Sequence, residues 1–206
     1  VVSVVLVAAG EAELRRGLAS LLAQNHGAVQ PVVVLTGAAA EAALEAEARA
    51  ALAGFDDAVV MRADEAGRAV GGASDDGSGV VSGGVFVARA GAASRGAAAS
   101  LGDALVVLCD GAVLGGAQLA AAAAALSAND VDFVCGGETD EAGVLLRAGG
   151  PPGAAAWRGV WTGTPASAVC ARREVHLRVG GFDGRHGAAF GDEWLLRAQA
   201  AGFRGA

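Results

Sequence analysis

A lone carboxylate, Asp110, follows an apolar run near the middle of the chain. Residues 105–109 are all apolar, and Gly111 comes directly after the acid. Such a run predicts a strand that is buried on both faces and that ends at an open edge of a sheet. Ligands bind at these strand ends in open α/β sheets. We therefore expect Asp110 to contact a ligand, while a purely structural role as the cap of the following turn stays open.

Two further acids, Asp192 and Glu193, stand just before an apolar helical pattern near the end of the chain. Acids in the first turn of a helix stabilise it through the helix dipole, so their placement has a structural explanation. His186 lies between glycines in a segment that we expect to be an exposed loop. Its imidazole could ligate a metal ion or a diphosphate, or it could simply face solvent.

The composition excludes several classes of partner. With 206 residues, of which 53% are hydrophobic, the chain can bury one substantial core. No apolar run approaches the roughly 20 residues that a membrane span needs, and no basic leader marks a signal peptide. The net charge of -7 comes without a clustered basic stripe, which argues against broad nucleic-acid binding. Small-molecule or carbohydrate partners are favoured.

The three cysteines, Cys109, Cys135 and Cys170, are widely spaced, and each follows an apolar run. Neither a disulfide framework nor a CxxC metal site is expected at these spacings. Buried free thiols indicate a reducing compartment, so we expect a cytoplasmic domain. The chain starts without Met and stops just after a helical pattern, so we also expect it to be excised from a longer protein. Attachment to the inner face of the membrane through that longer chain stays open.

Strands alternate with helices over the first half of the chain. The predicted strands are apolar runs at residues 2–7, 32–35, 58–61 and 105–109. The predicted helices are at residues 11–22, 38–52 and 88–101. This alternation predicts an α/β fold with a mainly parallel, Rossmann-like sheet, in which the four strands are neighbours and Asp110 lies at the carboxyl edge.

The remaining segments are less regular. Glycine pairs and acidic residues between residues 62 and 84 predict a polar loop. A further helix is predicted at residues 118–126 and a further strand at residues 131–135. A glycine- and proline-rich connection at residues 149–153 then opens the last third, which carries all three tryptophans.

Several segments, in order along the chain, resemble the motifs of family-2 glycosyltransferases. They resemble the opening strand with a helix that ends in SLLAQ, the second strand and its turn, the strand that bears the DXD motif, the RR…VGGFD segment of the acceptor side, and the helix that starts with an ED or DD pair. These segments are residues 3–7 with 14–24, 31–37, 108–114, 172–173 with 179–183, and 192–197 with 201–204. The resemblance spans nearly the whole chain.

The resemblance implies a GT-A fold in a single domain, with a nucleotide-sugar half at residues 1–114 and an acceptor half at residues 115–206. It implies an inverting glycosyltransferase of cell-envelope glycan synthesis, which moves a sugar from a nucleotide-diphospho-sugar to a hydroxyl of a glycan or lipid-linked acceptor. A divalent cation, Mn²⁺ or Mg²⁺, held by the DXD carboxylate would neutralise the leaving diphosphate. An Asp or Glu would act as general base on the acceptor hydroxyl.

The resemblance also assigns roles to single residues. Asp110 takes the place of the first DXD acid, as a donor-site and metal-binding residue, and His186 is a second candidate metal ligand. The turn after the first strand, at Ala8 and Gly10, and Thr36 after the second strand take the places of nucleotide contacts.

The acceptor side offers candidates of its own. Asp192 or Glu193 would be the base, and we prefer Asp192 because Glu193 starts to rotate onto the flank of the helix. One of the three tryptophans, Trp157, Trp161 and Trp194, could stack on a sugar or nucleobase, although core positions are more usual for tryptophan. For Asp183, which follows Gly-Phe, we expect a structural turn.

The sequence departs from the family pattern at the metal site. Ala112 stands where the second DXD acid is expected, and Leu35 or Thr36 stands where the family has an acid after the second strand. A hard cation wants several oxygen ligands, and Asp110 alone supplies at most two. We therefore expect the cation to be weakly bound if at all. The alternative is a catalytically degenerate GT-A module that binds a nucleotide sugar or a partner domain without turnover.

A nicotinamide cofactor is not expected. Residues 7–12 have some likeness to a dinucleotide-binding loop, but that fingerprint needs three glycines at fixed spacing and an acid at the end of the second strand. Both features are missing from this sequence.

Overall fold

The computed structural model describes residues 1–63, 82–109, 111–128, 130–136, 138–139, 145–147 and 169–206. The strands in these ranges are β1 (Val2–Ala8), β2 (Val29–Leu35), β3 (Val59–Arg62), β4 (Ala104–Leu108), β5 (Phe133–Cys135), β6 (Glu138–Thr139), β7 (Leu145–Arg147) and β8 (Val169–Arg172). The helices are α1 (Glu11–Leu22), α2 (Ala42–Ala51), α3 (Ser82–Ala99), α4 (Gln118–Ala128), α5 (Arg173–Val179) and α6 (Phe190–Ala200), with 3-10 turns at Gly37–Ala40 and Gly184–Ala189. None of these helices is long and apolar enough to cross a membrane.

β1 lies inside a six-stranded sheet with the order β3-β2-β1-β4-β8-β5. It pairs in parallel with β2 on one side and with β4 on the other, so that Val5 lies opposite both Val32 and Val107. β3 extends the parallel part of the sheet beyond β2. These are the four neighbouring strands that the sequence predicts, and the predicted α/β fold with a mainly parallel sheet is confirmed.

β8, from the last third of the chain, joins the sheet in the opposite direction. β8 lies between β4 and β5 and is antiparallel to both. The sequence does not predict β8, because four residues are too few to show a periodic pattern. Arg172 ends the strand and donates to the backbone carbonyls of Val131, at 3.0 Å, and Leu126, at 2.7 Å. β6 and β7 form a separate antiparallel pair.

Helices cover both faces of the sheet. On one face, Leu14, Leu18 and Leu21 of α1 share a core with residues of α2 and α4. On the other face, Ala90 and Ala93 of α3 pack over the sheet. Because neighbouring side chains of a strand point to opposite faces, all seven residues of β1 are buried.

α3 can lie close to the sheet because its inner residues are small. A β-carbon at Gly96 would lie only 2.2 Å from Cγ1 of Val5. The helix begins at Ser82, so the sequence prediction of a loop up to residue 84 is wrong at its end, where glycine composition suggested a loop. Arg62, the first residue of that predicted loop, ends β3 instead. The rest of the predicted loop lies outside the described residues.

The helix predicted at residues 38–52 is broken into two pieces. A 3-10 turn covers Gly37–Ala40, and α2 begins only at Ala42. Between them Glu41 has an extended backbone, with ψ of 146°. Alanine is compatible with every one of these conformations, and this is why an alanine-rich pattern does not reveal the break.

A buried polar link joins the amino ends of three strands. Oγ of Ser3 donates to Oε1 of Gln30 at 2.6 Å, and the backbone N of Gly102 donates to Ser3 Oγ at 2.9 Å. The backbone N of Leu101 donates to the same Gln30 oxygen at 2.7 Å. Ser3 and Gln30 are both buried, so these bonds replace the water that the Ser3 hydroxyl and the Gln30 side-chain oxygen lose on folding.

α5 and α6 form a third core against β5 and β8, around Trp194 and Phe133. The ring of His176 stacks on Trp194 with ring centroids 4.2 Å apart and an angle of 23° between the planes. Burial lowers the pKa of His176 to about 3, so the ring is neutral at pH 7.

The three cysteines are free thiols, as the sequence predicts. Cys135 lies opposite Val169 in the ladder and Cys170 lies opposite Val134, so the side chains of these two cysteines point to opposite faces of the sheet. Burial raises the pKa of all three thiols to about 12. The thiols are therefore protonated at neutral pH and poor metal ligands.

The close packing of α3 on β1 predicts opposite effects for two glycines of the same helix. Gly96→Ala would press a methyl group against the stiff, branched side chain of Val5 and should cost about 1–3 kcal/mol of unfolding free energy. The matched control is Gly91→Ala, where the new β-carbon meets nothing within 4 Å and helix propensity improves by about 1 kcal/mol. Thermal unfolding should show a lower Tm for the first and a higher Tm for the second. Equal shifts would contradict close packing.

The buried His176 predicts a dependence of stability on pH. Below its ordinary pKa of about 6.5 the unfolded chain takes up a proton, whereas the folded chain does not until about pH 3. The free energy of unfolding should therefore fall as the pH drops from 6.5 towards 4, by up to about 1.4 kcal/mol per pH unit from this group. His176→Phe keeps an aromatic ring and should flatten that slope in denaturant titrations. An unchanged slope would show that His176 also titrates normally in the folded chain.

Candidate functional site

The ends of β1 and β2 meet at the carboxyl edge of the sheet, where the sequence predicts nucleotide contacts. The backbone N of Thr36 donates to the carbonyl of Ala8 at 2.8 Å, and Oγ1 of Thr36 donates to the same oxygen at 3.3 Å. Both residues are buried. Gly10, at the start of α1, has open space where a side chain would be. The open part of this edge is therefore at Gly10.

A carboxylate that the sequence analysis did not single out, Glu13, holds the turn between β1 and α1. Its Oε2 accepts from the backbone N of Ala9 at 2.9 Å, and its Oε1 accepts from Nη2 of Arg89 at 3.0 Å. The exposed fractions are only 23% for Glu13 and 15% for Arg89. Because α1 and α3 cover opposite faces of the sheet, this ion pair crosses over its carboxyl edge.

Arginines surround the end of β4. Gly111 has a φ of +73°, and a β-carbon there would lie 3.0 Å from Nη2 of Arg16 and 3.8 Å from Cγ of Glu13. On the other side, the charge of Arg89 acts on the thiol of Cys109, whose pKa burial nevertheless raises to about 12. Asp110, which the sequence analysis names as the first candidate for contact with a ligand, lies outside the described residues.

On the acceptor side, the two predicted catalytic acids differ in their surroundings. Glu193 accepts from Nε of Arg197 at 2.5 Å and from its Nη2 at 2.9 Å. The same guanidinium donates to the backbone carbonyls of Val179, at 2.6 Å, and Gly181, at 2.7 Å. Glu193 therefore holds Arg197 in place against the preceding loop. Asp192, one residue earlier in the first turn of α6, is partly exposed.

The Gly-Gly-Phe-Asp loop before α6 is held from two sides. Nε1 of Trp194 donates to the carbonyl of Gly180 at 3.0 Å, and the backbone N of Phe182 donates to Oγ of Ser94 on α3 at 2.8 Å. Trp194 is 1% exposed, so it is a core residue and not a platform for a sugar. Trp157 and Trp161 lie outside the described residues.

The start of α6 packs into the core on the face of the sheet that α3 covers. Phe190, the first residue of α6, belongs to the core cluster that also contains Val7, Val34 and Cys109. These three residues lie at the carboxyl ends of β1, β2 and β4. The packing therefore places the first residue of α6 in the same core as these strand ends.

Asp183 forms the structural turn that the sequence predicts. Its Oδ1 accepts from the backbone N of Arg185 at 3.0 Å, and the Arg185 guanidinium beside it holds the pKa of this carboxyl well below its usual range. Nε2 of His186 lies 3.9 Å from Oδ2 of Asp183, and its side chain is half exposed. Within the described ranges no three His, Cys, Asp or Glu side chains come close enough to hold a metal ion together.

Comparison with known proteins supports the fold. No protein-family model matches the chain, and no curated protein matches its sequence. The mannosyltransferase PcManGT from Pyrobaculum calidifontis, in complex with GDP-Man and Mn²⁺, matches with a TM-score of 0.64 and 20% identity over 99% of this chain and 53% of that chain. TarS from S. aureus matches with a TM-score of 0.63 and 13% identity over 96% of this chain and 33% of that chain.

A shorter form of S. aureus TarS, residues 1–349 in complex with UDP, matches with a TM-score of 0.60 and 13% identity over 100% of this chain and 60% of that chain. The chain thus spans between a third and three fifths of the length of these structures. At such low identities the likeness shows the fold alone. This chain has the α/β fold of the GT-A glycosyltransferases, with a mostly parallel six-stranded sheet flanked by helices.

Proposed function

We propose that this chain is the catalytic domain of an inverting glycosyltransferase of family 2, which moves a sugar from a nucleotide-diphospho-sugar to a hydroxyl of a glycan or lipid-linked acceptor. Residues 1–114 form its nucleotide-sugar half and residues 115–206 its acceptor half. The observation that supports this most is the core that Phe190, at the start of α6, shares with β1, β2 and β4, because it joins the proposed acceptor half to the proposed nucleotide-sugar half. The GDP-Man and UDP bound to proteins of the same fold support a nucleotide-sugar ligand.

Asp192 is the general base of this proposal. Asp192 lies in the first turn of α6 and is partly exposed, so an acceptor can approach it, whereas the ion pair of Glu193 with Arg197 holds that acid against the preceding loop. The acceptor oxygen attacks the anomeric carbon from the face opposite the diphosphate while Asp192 takes up its proton. The bond from the anomeric carbon to the diphosphate oxygen breaks, the electron pair leaves with the diphosphate, and the configuration inverts.

The nucleotide binds at Gly10 in this proposal, because Gly10 offers open space beside the first turn of α1. Ala8 and Thr36 contribute by holding the ends of β1 and β2 together through their two hydrogen bonds. The acceptor class, a role in cell-envelope glycan synthesis and a cytoplasmic location remain predictions from the sequence.

The residues do not fit a tightly bound divalent cation. Asp110 is the acid proposed for it, but Ala112 replaces the second acid of the motif. The half-exposed His186 lies beside Asp183, whose carboxylate is already paired with Arg185. Mn²⁺ or Mg²⁺ is therefore bound weakly if at all in this proposal, and no step of the reaction depends on it.

A second candidate function is a GT-A module that binds a nucleotide sugar or a partner domain without turnover. The feature that favours it is the loss of polar groups at the edge. Ala112 lacks the carboxylate of the motif, and the hydroxyl of Thr36 is bonded to the Ala8 carbonyl. Both candidates predict the same fold, so binding and turnover must be measured separately.

The role of Asp192 is tested by separating affinity from turnover. Asp192→Asn should leave the affinity for UDP or GDP within about twofold and lower the transfer rate by about 10²–10⁴, because a base acts only in the transition state. The matched control is Asp57→Asn, at an exposed turn after α2, which should change neither.

Calorimetric titration gives the affinities, and release of the nucleoside diphosphate from UDP- and GDP-sugars gives the rates. Binding without turnover in the unmodified chain would favour the second candidate. If no nucleotide binds with or without Mn²⁺, the chain is a partner-binding module and the proposed transferase is wrong.

The lost carboxylate predicts that metal affinity can be restored. Ala112 is partly exposed, so Ala112→Asp can add the second acid of the motif, two residues after Asp110 in the sequence, without crowding the core. Mn²⁺ affinity, measured by calorimetry, should rise by about tenfold or more, and Asp110→Asn should remove that gain. Val113→Asp, which adds the same charge at a residue that is 54% exposed, is the control and should leave the affinity unchanged. No gain in Ala112→Asp would mean that Asp110 is not the first acid of a metal site.

A further inference from the structure

Two arginines from opposite faces of the sheet converge on the end of β4. Arg16 comes from α1 and Arg89 from α3. A single position, the β-carbon that Gly111 lacks, lies 3.0 Å from Nη2 of Arg16 and 3.8 Å from Cγ of Glu13, the residue that forms the ion pair with Arg89. The acid next to this position in the sequence, Asp110, is the residue that the proposed function assigns to the donor site.

We propose that Arg16 and Arg89 bind the diphosphate of the nucleotide directly, so that this chain binds a nucleoside diphosphate without a divalent cation. The inference rests on the proposed function, because it places the ligand at the same edge of the sheet. It adds the two residues that neutralise the phosphate charge. It also makes the loss of the second DXD acid consistent with a working site.

Arg16 is the cation that is available to a ligand. Its side chain is exposed, and no other described residue forms a hydrogen bond or an ion pair with it. Gly111, with a φ of +73° and no side chain, leaves room for the guanidinium at the end of β4. A guanidinium offers a planar set of donors that matches two phosphate oxygens at once.

Arg89 supplies a second guanidinium in a fixed orientation. Its partner Glu13 is itself held by the backbone N of Ala9 at 2.9 Å, so the ion pair is anchored to the turn after β1. The ion pair cancels the charge of Glu13 and leaves the charge of Arg16 in excess among these three residues. A donor that is already oriented loses less conformational entropy when it binds a phosphate.

The same charges work against a divalent cation. Mn²⁺ or Mg²⁺ needs several oxygen ligands, whereas the groups described around Gly111 are two guanidinium ions and one carboxylate that is already paired. A guanidinium within a few ångströms of a divalent ion repels it. The arrangement therefore suits an anion better than a metal.

The test measures binding of inorganic pyrophosphate and of UDP and GDP in excess EDTA, by calorimetry on the full chain. The unmodified chain should bind pyrophosphate and at least one of the two nucleotides. Arg16→Ala should weaken binding by about tenfold or more, and Arg16→Lys, which keeps the charge without the planar donor set, should fall between. The control is Arg15→Ala, one residue earlier in α1, where the side chain pairs with Glu11 and Glu47. It should bind like the unmodified chain.

Arg89→Lys gives an independent measurement. The lysine ammonium can keep the ion pair with Glu13, but it lacks the additional N–H groups with which a guanidinium can bind a phosphate at the same time. It should also weaken pyrophosphate binding, with an unchanged Tm as evidence that the fold is intact. A loss of affinity that appears only together with a loss of Tm would assign Arg89 a structural role and overturn its part of the inference.

The outcomes separate this inference from the proposed function. Nucleotide binding that requires Mn²⁺, or binding in EDTA that Arg16→Ala does not weaken, would overturn the inference and leave the transferase proposal intact. Arginine-dependent binding of pyrophosphate without any binding of nucleotides would support the assignment of the two arginines to an anion, but it would contradict the transferase and the binding of a nucleoside diphosphate. If neither pyrophosphate nor nucleotide binds in EDTA, the inference is wrong.

Discussion

The complete burial of β1 is the constraint on which the rest of the structure depends. All seven of its residues pair with β2, the five from Val2 to Leu6 also pair with β4, and helices cover both faces of the strand. A strand buried on all sides is mostly apolar, so the reactive side chains of the sheet are expected just after its strands end. The hydrogen bonds of Thr36 to Ala8 and of Ala9 to Glu13 lie in that zone.

Much of the sheet could be predicted from the sequence, because its strands are apolar runs separated by helical patterns. α1 occupies Glu11–Leu22 as predicted, and β1 to β4 are neighbours as predicted. β8 could not be predicted, since its neighbours in the sheet come from residues more than 30 positions away and four residues carry too little pattern. Antiparallel strands within a mostly parallel sheet follow from the tertiary fold and not from local periodicity.

The candidate site was less predictable than the fold. The two acids of the first turn of α6 are visible in the sequence, but only the structure shows that Glu193 is paired with Arg197. The ion pair between Glu13 and Arg89 joins residues that are 76 positions apart, so no local motif predicts it. The spacing of residues in the sequence can reveal groups that lie together on one helix or strand. These contacts join separate helices and strands, which only folding brings together.

The buried link between Ser3 and Gln30 has a consequence for how the chain finds its alignment. β1, β2 and β4 consist almost entirely of valine, leucine and alanine, so shifting one strand by two residues would bury nearly the same apolar surface. Such a shift would separate Ser3 from Gln30 and from the backbone of Gly102, and each buried polar atom left without a partner costs about 1–3 kcal/mol. Several alignments of these strands would have nearly equal free energies if only hydrophobic burial counted. The two polar side chains at one end of the otherwise uniform sheet thus select one of them.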